Sequence, residues 1–249
     1  MADEGPGTRV AVVTGGGSGI GLATCVALAE EGFTLAVMDV DGDAAKVAAG
    51  PDGLGLRVDI TEPDEVTAAF EEVVRSFKRI DILVNNAGIT GSAAATTCHE
   101  TPVEEWDRVM AVNVRGLYLC SRAALPTMIE QGSGHVITLA SVAGQVVFPA
   151  RAAYVASKGA ALMFAKSLAV DYARSGIRSN AVCPGMVYTP MTAWRLDQPE
   201  LRDLVESKIP LGRVALPEEI AEMIAVLASG RLAYLTGAAL NIDGGWTAL

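Results

Sequence analysis

Arg9-Val-Ala-Val-Val-Thr14, then Gly15-Gly-Gly-Ser-Gly19-Ile-Gly21, and further on Leu35-Ala-Val-Met-Asp39, decide how this chain is read. The first run is short, apolar and closed by glycine, as a buried strand should be. The glycines allow a tight turn and close backbone approach. A helix starting near Gly19 would turn its free amides and positive dipole end toward a pyrophosphate. The second apolar run ends in Asp39, eighteen residues past Gly21. A carboxylate there is placed to hydrogen-bond a ribose 2′-hydroxyl and to repel a 2′-phosphate. No arginine stands in the glycine loop, and Val40 and Asp41 follow Asp39, so the expected cofactor is NAD rather than NADP. The competing reading makes Asp39 an N-cap for the next helix.

Working outward, short apolar runs alternate with longer amphipathic segments. Val10–Val13, Leu35–Met38, Ile82–Val84, His135–Leu139 and Arg178–Val182 read as buried strands. Gly19–Glu31, Glu62–Phe77, Val103–Met128, Ala152–Ser175 and Glu218–Ala228 read as helices, with Pro63 just inside the second behind Thr61 as its cap. This alternation predicts an α/β fold: a Rossmann-type, doubly wound parallel sheet with helices on both faces. Asp41–Gly55 has room for only a short helix. Met186–Leu211 interrupts the pattern after a strand, which suits an active-site lid. No linker or repeat divides the chain, so residues 1–249 are expected to form a single domain, with the cofactor mainly in the N-terminal half and the catalytic residues and lid in the C-terminal half.

Composition narrows the function. Hydrophobic residues are 51% of the chain, which is enough for a large packed core. The net charge of −10 excludes nucleic acid and anionic membrane as expected partners, and any anion site must be built from locally placed arginines. Cys25, Cys98, Cys120 and Cys183 form no Cys-x-x-Cys pair, the start Met1–Gly7 is unlike a signal peptide, and no apolar run reaches spanning length. A cytoplasmic protein is the expectation. His99 and His135 lie in no ligand-like cluster, so no metal is expected.

The chemistry is carried by Tyr154-Val-Ala-Ser-Lys158, with Ser141 thirteen residues upstream. Residues four apart on a helix share a face, which sets an ammonium beside a phenol of ordinary pKa about 10 and favours the phenolate. Such a phenol can move a proton on or off an alcohol oxygen. A solvated lysine over a core tyrosine is the competing reading.

Thr14-Gly-x-x-x-Gly-x-Gly21, Asn85-Asn-Ala-Gly88, Asn113, Ser141, Tyr154-x-x-x-Lys158 and Pro184-Gly185 together resemble the short-chain dehydrogenases/reductases over almost the whole chain. The resemblance implies that Tyr154 exchanges the proton, Ser141 hydrogen-bonds the substrate oxygen, and Lys158 holds the nicotinamide ribose and lowers the tyrosine's pKa. Asn113 would anchor a water leading to solvent. It further implies cofactor contacts from Gly15, Ser18, Gly19, Ile20 and Gly21, from Asp39, and from Asp59 with Ile60 at the adenine. Asn86, Ala87 and Gly88 would line the adenosine ribose, with Pro184, Gly185, Val187 and Thr189 toward the carboxamide. Each role has a plainer competitor: Ser141 as a strand-end cap, Asn113 as a buried amide satisfying backbone groups, Thr189 as a loop hydroxyl.

Arg151 lies three residues before Tyr154, and helix spacing would put it on the catalytic face. With Met191-Thr-Ala-Trp-Arg-Leu-Asp-Gln-Pro-Glu-Leu-Arg-Asp203 and Asn85–Gly91, it is similar to the 2-(R)-hydroxypropyl-coenzyme M dehydrogenases, which oxidise a secondary alcohol on a thioether bearing a sulfonate. That likeness implies an anionic small-molecule substrate held by Arg151 and Arg195, with Met186, Met191 and Trp194 as apolar walls. Alternatively Arg195 pairs with Asp197 or Glu200, and Arg151 faces solvent or a neighbouring subunit. A broader ketone or 3-oxoacyl reductase and a catalytically silent NAD-binding scaffold also stay open. Family likeness implies a homotetramer, with the tail Gly237–Leu249 as interface material; the competing reading packs Trp246 and Leu249 within their own subunit.

Overall fold

The computed structural model describes residues 8–249; Met1–Gly7, read above as unlike a signal peptide, lies outside them. Strands β1 (Val10–Thr14), β2 (Thr34–Asp39), β3 (Leu54–Arg57), β4 (Ile82–Asn85), β5 (Gly134–Leu139), β6 (Ile177–Pro184) and β7 (Ala239–Ile242) form one sheet in the order β3-β2-β1-β4-β5-β6-β7. All pairs are parallel. Helices α1 (Gly19–Glu30), α2 (Gly42–Ala49), α3 (Pro63–Phe77), α4 (Val103–Met110), α5 (Leu117–Gln131), α6 (Ala152–Tyr172) and α9 (Pro217–Ala228) connect the strands, and α7 (Pro190–Leu196) and α8 (Pro199–Glu206) lie after β6. This is the expected doubly wound α/β fold.

Period-two alternation along the strands divides the core between the two faces. Val10 and Val12 of β1, with Ala36, Met38 and Leu83, pack against α3 and α5 through Val66, Phe70, Val73 and Met128. Ala11 and Val13, with Leu35, Val37, Ile82 and Val84, pack against α1 and α9 through Leu28, Ile220 and Ile224. Because both faces are covered, the strands read as unbroken apolar runs. Each fully buried Leu or Ile contributes about 1.5–3 kcal/mol. No helix among the described residues is long and apolar enough to cross a membrane.

Several elements differ from expectation. The Val103–Met128 stretch is not one α-helix: α4 and α5 are separated by a π-helical segment, Ala111–Gly116. Asn113, 3% exposed, is drawn inward there by hydrogen bonds to both backbone groups of Ile89. Thr61 is not the cap of α3, because Glu62 holds that position and the Thr61 hydroxyl is spent on Asp59. Asp39 is not an N-cap either. Asp41 caps α2, its side chain accepting from the amides of Asp43 and Ala44. The end of the expected Ala152–Ser175 helix tightens to a 3-10 turn over Ala173–Ser175, closed by Gly176 at φ 77°.

Candidate active site

The carboxyl ends of β1, β2, β4, β5 and β6 open into one cavity of about 1090 Å³, where α/β sheets of this topology place their ligands. At its floor, Thr14 staples β1 to β4. The hydroxyl accepts from the amides of Asn86 (3.1 Å) and Ala87 (3.2 Å) and donates to Val84 O (3.4 Å). Asn86 Nδ2 in turn donates to the carbonyls of Thr14 (3.0 Å) and Gly15 (2.8 Å). The turn that follows admits only glycine at two points. Gly15 has φ +64°, and a Cβ there would lie 2.8 Å from Ala87 Cα; a Cβ on Gly21 would lie 2.0 Å from Gly15 O. Backbone approach this close is what a pyrophosphate cradle requires.

Asp39 ends β2 at the cavity wall and accepts from Gly17 N (2.8 Å, Oδ2) and Asp41 N (3.0 Å, Oδ1). It therefore shapes the glycine loop while presenting a carboxylate to the same space. Asp59 accepts from the Thr61 amide (2.9 Å) and hydroxyl (2.8 Å). Gly15, Ser18, Gly19, Ile20, Gly21, Asp39, Asp59, Ile60, Asn86, Ala87, Gly88, Pro184, Gly185, Val187 and Thr189 all line this one cavity. These residues fit a dinucleotide: a Cβ-free cradle, a helix N-terminus, and an acid at the end of the second strand. Thr189 is also the N-cap of α7, sharing a capping box with Thr192, so its loop-hydroxyl reading is realised as well.

Ser141, Tyr154 and Lys158 line the cavity beyond the cradle. Ser141 follows β5 and is 7% exposed; its Oγ accepts from Ala143 N (3.1 Å) and donates to Pro184 O (3.5 Å), which makes it a strand-end cap as well as a cavity group. Lys158, also 7% exposed, directs Nζ at Leu139 O (2.7 Å), 5.8 Å from the centre of the Tyr154 ring. Burial pulls its ammonium down to about 8. Burial pushes the Tyr154 phenol above its ordinary value, and a hydrogen bond with Ser141 opposes that rise. At this phenol burial outweighs the Ser141 hydrogen bond, whereas helix spacing alone draws attention to the neighbouring ammonium. Asn113 does not line the cavity. Its Oδ1 accepts from Ile89 N (2.8 Å), and its Nδ2 donates to Ile89 O (2.8 Å) and Ser157 Oγ (2.9 Å), as in the buried-amide reading.

Arg151, Met186, Met191, Trp194 and Arg195 line the same cavity. Arg151 is not on the helical face; it is the N-cap residue of α6, with φ −144°. Its Nη1 donates to Ala95 O (2.9 Å), so it faces its own chain rather than only solvent. Ala150 before it has φ 53°, a left-handed backbone unusual for a residue with a Cβ. The alternative pairing of Arg195 is not formed: Asp197 takes the Tyr188 hydroxyl (2.8 Å), and Arg195 makes no ion pair among the described residues. Sequence reasoning missed Phe148, Lys208 and Trp246 as lining groups. Trp246 packs edge-on to Phe148 (5.3 Å) and onto a small cluster of Leu196, Val205, Ile209 and Val214, so this part of the tail is intrasubunit packing, whereas Leu249 is 91% exposed. No local pattern marks these residues, which reach the cavity from loops distant in sequence.

Comparison with known proteins agrees with this geometry. A family model described as enoyl-(acyl carrier protein) reductase matches residues 15–247. The chain is 48% identical to 2-(R)-hydroxypropyl-CoM dehydrogenase of Xanthobacter autotrophicus, over 97% of this chain and all of the relative. It superposes on a short-chain type dehydrogenase/reductase from Mycobacterium marinum with TM-score 0.90 at 36% identity, covering 97% of this chain and 96% of the other. It also superposes on 3-ketoacyl-(acyl-carrier-protein) reductase from Brucella melitensis complexed with NADH, with TM-score 0.88 at 33% identity, covering 96% and 98%. With the parallel sheet, the glycine cradle and the Ser141, Tyr154 and Lys158 cavity already in place, these likenesses make the chain an oxidoreductase of the short-chain dehydrogenase/reductase family.

Proposed function

We propose that the protein is an NAD-dependent dehydrogenase interconverting a small secondary alcohol and its ketone, and that the substrate carries an anionic tail such as the sulfonate of 2-hydroxypropyl-coenzyme M. The observation that carries this reading is a single cavity lined by Asp39, by Ser141, Tyr154 and Lys158, and by Arg151 and Arg195, the last making no ion pair among the described residues. The named relative from Xanthobacter supports the substrate class.

A bound NAD supplies the hydride acceptor. The glycine turn and the start of α1 would hold its pyrophosphate, and Asp39 would hold the adenosine ribose through a 2′-hydroxyl. Ser141 Oγ would hydrogen-bond the alcohol oxygen, and Tyr154 Oη, once ionised to the phenolate, would take its proton. Lys158, anchored on Leu139 O, supplies a positive charge beside the phenol and donors for the nicotinamide ribose. Arg151 and Arg195 fix the anionic tail with charge-assisted hydrogen bonds worth roughly 1.5–3 kcal/mol each. Held at both ends, the carbinol carbon is positioned rather than merely enclosed.

The test compares kcat/KM for 2-hydroxypropyl-coenzyme M with that for a neutral secondary alcohol of similar size, in wild type and Arg195→Ala. Wild type is expected to prefer the anion and the variant to lose most of that preference. Equal rates on both alcohols would discard the sulfonate and favour a broader ketone or 3-oxoacyl reductase. Tight NADH binding with no turnover across a substrate panel would favour a silent NAD-binding scaffold.

A further inference from the structure

The cavity's charge distribution is lopsided. Among the described residues its lining carboxylates are Asp39 and Asp59, both engaged with backbone amides. Apart from Lys158, the other charged residues lining it among the described residues are also cationic: Arg108, Arg151, Arg195 and Lys208. In a chain of net charge −10, that concentration is local and sharply opposed to the average surface.

These cations are not equivalent. Arg108 is neutralised by a forked contact with Glu105 (3.1 and 2.9 Å), and Arg151 spends one arm on Ala95 O. Elsewhere around the lid, Arg202 pairs with Glu206 and Arg213 with Glu219. Arg195 and Lys208 make no ion pair among the described residues, and both face the cavity. Both also grow from one satellite core. Arg195 precedes Leu196, and Lys208 lies between Val205 and Ile209, with its amide donating to Val205 O (3.1 Å). The Lys208 side chain is exposed on a flexible stem. An ammonium of this kind acts as a point charge without the directional demand of a guanidinium.

We propose that Lys208 is a further specificity-determining residue: it draws the anionic tail of the substrate into the site and raises capture of charged alcohols without taking part in the chemical step. This rests on the anionic-substrate reading above. Charges at the rim of a binding site chiefly alter association and its salt dependence, so Lys208 should act on KM rather than kcat.

The experiment measures kcat, KM and their dependence on ionic strength for 2-hydroxypropyl-coenzyme M and for a neutral thioether alcohol of equal length. It uses wild type, Lys208→Gln, Lys208→Arg and Arg195→Ala. Lys208→Gln should lower kcat/KM for the sulfonate by about 5-fold through KM and flatten its salt dependence, with kcat and the neutral alcohol unchanged. Lys208→Arg should restore the wild-type values. If wild type prefers the anion and Arg195→Ala loses that preference while Lys208→Gln keeps it, the role of Lys208 is overturned and the substrate reading stands. If Lys208→Gln depresses both alcohols alike, the residue is structural and the proposal falls. If wild type does not prefer the anion, both conclusions fall.

Discussion

Replacing Asp39 with asparagine separates two things this carboxylate does. Its oxygens hold Gly17 N at 2.8 Å and Asp41 N at 3.0 Å, and it faces the position expected for the adenosine ribose. A 2′-phosphate would bring a charge of roughly −1.5 to −2 to within several ångströms of it. At about 5 Å, one pair of unit charges costs roughly 1 kcal/mol in water and roughly 3 kcal/mol at an effective dielectric of 20. Asp39 is half-buried, so an intermediate value applies, about 2–3 kcal/mol in total against NADP. Removing the charge should thus shift the NAD/NADP ratio of kcat/KM by roughly 30- to 150-fold toward NADP. The Asp39→Asn side chain would keep only one carbonyl oxygen for two amides. The unmatched amide should loosen the glycine loop and weaken both cofactors by a further ~1 kcal/mol or more. The assay is steady-state kinetics with each cofactor, alongside Kd values for NADH and NADPH from fluorescence titration. A wild type that uses both cofactors equally, or a variant whose ratio stays within about 3-fold of wild type, would refute the electrostatic argument.

Other perturbations reach different parts of the argument. Tyr154→Phe removes the proton-exchanging hydroxyl and should cost at least ~100-fold in kcat while leaving NADH affinity within a few-fold; substantial residual turnover would refute the assignment. His135 is 1% exposed and bonded to Leu227 O and Asn180 Nδ2, and burial pulls its pKa from 6.5 to about 3. The unfolded chain therefore binds that proton first, so stability should fall as pH drops below about 6.5, at up to ~1.4 kcal/mol per unit and about 2–3 kcal/mol by about pH 4.5. Urea midpoints across this range should show a slope that His135→Gln reduces; an unchanged slope would remove His135 from the account. Tyr118, Met163 and Val170 expose apolar surface on α5 and α6, at 48%, 61% and 80%. Light scattering is expected to show a tetramer of 25.8 kDa chains that Met163→Glu with Val170→Asp dissociates, and a wild-type monomer would reject it.

The central strands were legible because burial on both faces leaves an unbroken apolar run, as in Val10–Val13 and Ile82–Val84. The edges were not. β3 is four residues, Leu-Gly-Leu-Arg, and β7 is half-exposed, so neither carries enough apolar signal to be separated from a loop. The π-helical segment at Asn113 was equally hidden. Its register is set by the distant Ile89 backbone, and no local propensity encodes that contact. Arg151 illustrates a subtler failure. Spacing placed it on a helix face, yet the helix begins at Ala152, and Arg151 is the N-cap before it, with its guanidinium donating to Ala95 O. It still lines the cavity, for a different reason.

The same distinction governs the catalytic centre. The residue types at Ser141, Tyr154 and Lys158 can be read from the chain, but the balance among them cannot, because burial and charge pull a phenol's pKa in opposite directions. Lys158 Nζ is turned to Leu139 O, and the hydrogen bond between Ser141 and Tyr154 is what opposes burial of the phenol. A Ser141→Ala variant should therefore raise the pH at which Tyr154 gives up its proton, as well as removing a substrate contact. Its pH–rate profile for alcohol oxidation should move to higher pH, while kcat on the high-pH plateau falls by the lost contact alone. A drop in kcat with no movement of the profile would mean that Ser141 only holds the substrate and leaves the phenol's pKa to its other surroundings.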